Sequence, residues 1–110
     1  MWFRYCWIGF ALLCFSCKTS YTVLNKGISG HNSANLLARV DRDVNAFHPD
    51  LVLLMVGTND MINSKKFLSN AQYLRNVKGI VDKLRQANPK VKIVMASILP
   101  VEEEYLFQRH

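Results

Sequence analysis

A chain of 110 residues, half of them hydrophobic, has room for one small domain and enough apolar side chains to build its core. Its formal net charge of +6 comes from Lys and Arg scattered along the sequence, with no basic run interleaved with aromatics. Nucleic acid is therefore not an expected partner. All three cysteines, Cys6, Cys14 and Cys17, precede Lys18, which excludes a disulfide framework or a thiolate metal site in the rest of the chain.

Residues 1–17 (MWFRYCWIGFALLCFSC) carry one basic residue, Arg4, then an apolar run over 5–15, then small or polar residues. That order is the one found in export signals, and the run is too short for an ordinary transmembrane helix. Residues 1–19 are therefore set apart as a signal-like segment, and the expected location is periplasmic, extracellular or lipid-anchored. Cys17, preceded by Ser16, is a candidate lipidation site and so a route to membrane attachment, although Cys14 stands where such signals usually carry leucine.

The folded domain is expected over residues 20–101. Residues 21–24 (YTVL) are rich in strand formers. They run into the loop NKGISGHNS, whose Gly27 and Gly30 permit a tight turn and close backbone approach. Ser33 or Asn32 can cap a helix in which Leu36, Leu37, Val40, Val44 and Phe47 recur at helical spacing, with Asp41, Arg42, Asp43 and Asn45 facing water. His48-Pro49 ends it, because the residue before proline avoids the α region.

The stretch LVLLMVGTND, residues 51–60, comes next. Its apolar half does not alternate, which predicts a strand buried on both faces of a parallel sheet, and the polar residues begin where such a strand ends. A second helix is expected from about Phe67 or Asn70 to Ala87, with Leu74, Val77, Ile80, Val81 and Leu84 on one stripe, stopped by Asn88-Pro89. A third strand, 91–96 (VKIVMA), closes at Ser97-Ile98-Leu99-Pro100, and residues 102–110 form a tail of mixed character. Strands alternating with helices predict an α/β fold with a parallel sheet. The loops after Leu24 and Val56 should then meet at the carboxyl edge, where backbone N–H groups and the Asn59 amide can converge on one point, as a developing oxyanion requires.

At these residues the sequence resembles the SGNH, or GDSL-type, hydrolase superfamily. Asn25-x-Gly27-x-x-Gly30 is similar to its second block and Gly57-Thr58-Asn59-Asp60 to its third. The resemblance implies a three-layer α/β/α flavodoxin-like fold, here incomplete, with about three strands and two main helices. It implies that Gly30, through its backbone N–H, and Asn59, through its side chain, are oxyanion-hole donors, while Asn25, Gly27, Gly57 and Asp60 shape the loops. It also implies ester hydrolysis without metal or other cofactor, on a small-molecule, glycan or lipid ester.

The family's Gly-Asp-Ser and Asp-x-x-His blocks have no counterpart in this sequence. A hydroxyl attacks poorly without a base, so nucleophile and base stay unassigned. Ser16 ends an apolar run but lies too close to Tyr21 for a parallel crossover. Ser29 and His31 sit together in the donor loop, where His31 reads as a loop-surface residue; His48 reads as a helix-end residue and His110 as a chain end. The missing blocks suggest a truncated domain. Its function is then either that of an ester hydrolase, acylhydrolase or carbohydrate deacetylase, or that of an inactive glycan- or anion-binding domain of the same fold. A nucleotide-binding unit fits less well, since Gly27-x-x-Gly30 is not the G-x-G-x-x-G pattern.

Overall fold

The computed structural model describes residues 19–100. The signal-like residues 1–18, with Ser16 and Cys17, and the tail, with His110, lie outside the described residues. Within them the order is α1 (Ser33–Asp43), a 3-10 turn (Asn45–Phe47), β1 (Leu51–Leu54), α2 (Thr58–Ile62), α3 (Asn70–Ala87) and β2 (Lys92–Met95). β1 and β2 pair in parallel, with Leu51 opposite Lys92 and Leu54 opposite Met95. The architecture is mixed α/β with a parallel sheet, an incomplete flavodoxin-like fold.

Both long helices start at reciprocal caps. Asn32 Oδ1 accepts the Asn35 N–H at 3.0 Å while Asn35 Oδ1 accepts the Asn32 N–H at 3.2 Å, and Ser69 and Gln72 repeat the arrangement at α3. α1 ends earlier than the sequence suggests: after Asp43 the backbone tightens into the 3-10 turn, and His48 closes it in a left-handed conformation just before Pro49.

The core lies between the two helices and one face of the sheet. Val40 of α1, Ile80 and Leu84 of α3 and Leu54 of β1 are buried together, flanked by Leu36, Leu37, Val52, Val56 and Ile93. Helical spacing brings the first set onto one stripe of each helix, and strand alternation brings Val52, Leu54 and Val56 onto one face. α1 approaches α3 closely at Gly79, where a Cβ would stand 3.1 Å from Leu37 Cδ1.

Four expectations are corrected. Residues 21–24 have no ladder partner among the described residues, and Val23 is 87% exposed, so the sheet there has two strands rather than three. Without a neighbouring strand the YTVL backbone gains no inter-strand hydrogen bonds and its side chains no cover. β1 is covered on one face only: Leu51, Leu53 and Met55 are exposed, because both helices pack on the other side. Leu74 is exposed as well, since Asn76 already contacts Ser33, the first residue of α1, and Leu74 lies beyond the span that α1 covers. Finally, Asp43 and Asn45 are half-buried rather than facing water, and Arg39 beside them is buried, donating to Lys26 O at 2.8 Å and to Asp43 Oδ2 at 3.2 Å.

Ion pairs at the far end of α1 give this fold an acid dependence. Lys83 Nζ bonds Asp41 across the two helices, and that bond, then the Asn45 amide, lowers the Asp41 pKa from its ordinary 3.8. The Arg42 guanidinium, then Arg39, holds Asp43 down at about 2. Carboxyls with depressed folded pKa values stabilise the fold above the unfolded pKa, and the contribution is lost as pH falls through the folded value. Melting temperature is therefore expected to hold constant from neutral pH to about pH 5 and to fall between about pH 4 and pH 2. The decrease should be small and weakened by salt, as for other exposed pairs, and Asp41→Asn should flatten part of it. A melting temperature that rises on acidification contradicts the assignment.

Candidate active site

β1 delivers its C-terminal residues to a sharp turn. Gly57 has φ 136° and ψ −24° and opens α2. A side chain there would force its neighbours to shift: a Cβ would lie 2.5 Å from Ile98 Cδ1 and 3.1 Å from Tyr73 Cε2. The Tyr73 hydroxyl donates to Val56 O at 3.0 Å, bracing the strand end from α3. Burial, and then the neighbouring Asp60, push its pKa up, so the phenol remains a donor at neutral pH.

The loop before α1 builds the opposite wall. Asn25 Oδ1 accepts the Gly27 N–H at 3.0 Å, an Asx-type turn. His31 N–H donates to Ile28 O at 3.3 Å, closing a second turn around Gly30, whose φ of +79° favours glycine.

The two walls meet. Residues 28–31 and 55–59 line a cleft of about 230 Å³, which places Gly30 and Asn59 on the same cavity. Asn59 Nδ2 donates to His31 O at 3.0 Å, and Asn63 Nδ2 donates to Asn59 Oδ1 at 3.3 Å. Ser29 and His31 line the cleft too, and His31 is half-buried, with its Nδ1 enclosed and unpartnered, rather than a surface residue. His48 is exposed, well outside the cleft lining.

Asp60 lies beneath the site and is fully buried. Its carboxyl group accepts the Ser33 N–H at 2.9 and 3.2 Å and the Ser33 hydroxyl, which in turn accepts Asn76 Nδ2 at 3.0 Å. The acceptor thus satisfies a free N–H at the start of α1, where a negative group is favoured. The loop after α2 adds two ties, from Leu68 N–H to Asp60 O at 2.9 Å and from Asn32 Nδ2 to Lys66 O at 2.8 Å.

The sequence matches the GDSL-like lipase/acylhydrolase family over residues 7–109. The chain belongs to that family. It is also 51% identical over 39 residues to an acetylxylan esterase of Geobacillus stearothermophilus, a match that covers 36% of this chain and 18% of that relative. No solved structure matches it significantly.

For this GDSL-like chain, the cleft is a concave site with an asparagine amide and a glycine-turn backbone on its walls. Ser33, Asn63, Tyr73 and Asn76 hold those walls in place, and sequence reasoning missed all four roles. Ser33 was visible only as an alternative cap beside Asn32. The contacts of Tyr73 and Asn76 span 17 and 43 residues of sequence, respectively, and leave no local pattern.

Proposed function

We propose that this chain carries the oxyanion-binding side of an ester hydrolase, acting as an acylhydrolase or carbohydrate deacetylase. The observation that carries the reading is the bond from Asn59 Nδ2 to His31 O, which ties the GTND turn to the NKGISG loop across the cleft. One N–H of the Asn59 amide is held by that carbonyl, which leaves the second available to a substrate oxygen beside the Gly30 N–H. Fixed donors of this kind need no reorganisation as the ester carbonyl becomes an oxyanion, and each lowers the barrier by ~3 kcal/mol. A base-activated serine hydroxyl is the attacking group this chemistry calls for, with the nucleophile and base unassigned in this chain. A cleft of about 230 Å³ suits a small acyl group such as acetyl, and the acetylxylan esterase similarity supports an acetylated glycan as the substrate class. Export through residues 1–19, with attachment at Cys17, belongs to the same proposal and suits a glycan substrate outside the cell.

Hydrolysis of p-nitrophenyl acetate by the purified chain tests this. Turnover above background shows that the chain supplies a working nucleophile. Asn59→Ala should lower it by ~100-fold or more. Equal rates in wild type and variant refute the role of Asn59. Binding of acetylated xylo-oligosaccharides without turnover identifies the inactive glycan-binding domain instead.

A further inference from the structure

An amide is a useful oxyanion donor only if its nitrogen, not its oxygen, faces the substrate, and an asparagine can rotate its amide to present either. At Asn59 two contacts decide this. His31 O can only accept, so Nδ2 points toward it at 3.0 Å. On the other side of the amide, Asn63 Nδ2 donates to Asn59 Oδ1 at 3.3 Å. The Asn63 amide is oriented in turn, because its own Oδ1 accepts the Lys65 N–H at 3.1 Å, which directs its nitrogen to Asn59. The result is a chain of donors running in one sense, from Lys65 N–H through the Asn63 and Asn59 amides to His31 O, with one Asn59 N–H outside the chain.

Building on the oxyanion reading above, we propose that Asn63 is the positioning residue of this site, holding the Asn59 amide with its nitrogen toward the cleft. Asn63 is not among the cleft-lining residues, and it sits one turn of helix beyond Asn59, at the end of α2. Its backbone makes the ordinary contacts of a helix end, with its N–H on Asn59 O and its carbonyl on Lys66 N–H. Only the side chain reaches the Asn59 amide. Replacing that side chain removes the contact to Asn59 together with the Lys65 N–H tie, while the backbone contacts of the helix end stay in place.

Side-chain NMR of the full ¹⁵N-labelled chain reads the orientation directly and does not depend on turnover. In wild type the two Asn59 Nδ2 protons should differ, one protected by His31 O and one exchanging freely. Asn63→Ala removes the donor to Oδ1, and exchange of the protected proton should rise about three- to tenfold, the range of one ordinary hydrogen bond. Asn63→Asp, which offers only acceptors when ionised, should draw the Asn59 nitrogen away from His31 and move both proton resonances further. Asn63→Gln keeps a donor within reach and should restore the wild-type pattern. Throughout, the backbone amides of Ser33 and Leu68, which bond Asp60, should not move.

Unchanged Asn59 side-chain resonances in the Ala and Asp variants overturn the proposal, as do shifts at Ser33 and Leu68 of equal size. The functional reading is scored separately, by titrating wild type with methylphosphonate as an oxyanion probe. Absence of shifts at the Asn59 side chain and Gly30 N–H refutes the oxyanion hole while the Asn63 comparison still stands on its own.

Discussion

Gly57→Ala is expected to lower stability by ~4 kcal/mol, enough to abolish a cooperative unfolding transition in a domain this small. Two costs coincide at this position. A backbone with φ 136° is outside what an alanine adopts without strain, which costs ~1–3 kcal/mol. The added methyl would also stand 2.5 and 2.9 Å from the Ile98 side chain and 3.1 Å from the Tyr73 ring, and such overpacking costs a further ~1–3 kcal/mol. Ile98 is half-buried and Tyr73 is anchored to Val56 O, so the ring cannot move aside without breaking the brace on the strand end. Urea unfolding followed by far-UV circular dichroism should show the midpoint falling by ~2 M or the transition disappearing. Adding Ile98→Ala should recover the part of the steric loss that Ile98 causes and leave the Tyr73 contact and the conformational cost. A midpoint within error of wild type refutes the argument.

Asp60→Ala is the second large effect, with an expected loss of ~3 kcal/mol. The variant leaves the Ser33 N–H and hydroxyl, both fully buried, without the acceptor that satisfies them. It also disconnects α2 from the start of α1, so the cleft loses the tie beneath it. Asp60→Asn retains one oxygen for the Ser33 N–H and should lose ~1 kcal/mol. Because Ser33 and Asp60 act on each other, Ser33→Ala combined with Asp60→Ala should lose less than the sum of the two. Hydrogen exchange at the Ser33 amide gives a local check, with faster exchange expected in Asp60→Ala. Full additivity of the two substitutions argues against the contact.

The candidate site was legible to the extent that its chemistry is local. Two glycines at fixed spacing announce turns, and a polar tetrapeptide after an apolar run announces a strand end; NKGISG and GTND do meet, but through the Asn59–His31 and Asp60–Ser33 bonds and not through the parallel YTVL strand that was expected to bring them together. What pairs with what across the cleft did not follow. Nothing in the spacing says that Asn59 bonds the His31 carbonyl, 28 residues earlier, or that Asp60 satisfies Ser33 rather than capping its own helix. The apolar run of residues 51–56 misled in a specific way. It records that a strand can be buried on both faces, whereas β1 is covered on the face that α1 and α3 reach and bare at Leu51, Leu53 and Met55.

Sequence alone determined the two long helices and the strands at 51–54 and 92–95 in their order, a cap at Asn32 or Ser33, the parallel α/β class and the two glycine-bearing turns, because periodicity, capping and glycine geometry act over a few neighbouring residues. Tertiary structure decided which face of the sheet is covered, that the YTVL segment has no strand partner among the described residues, that Arg39 and Asp60 are buried, and which way the Asn59 amide is held. Each of these depends on groups brought together from distant parts of the chain, where burial removes water and leaves a polar atom only the partners the fold provides.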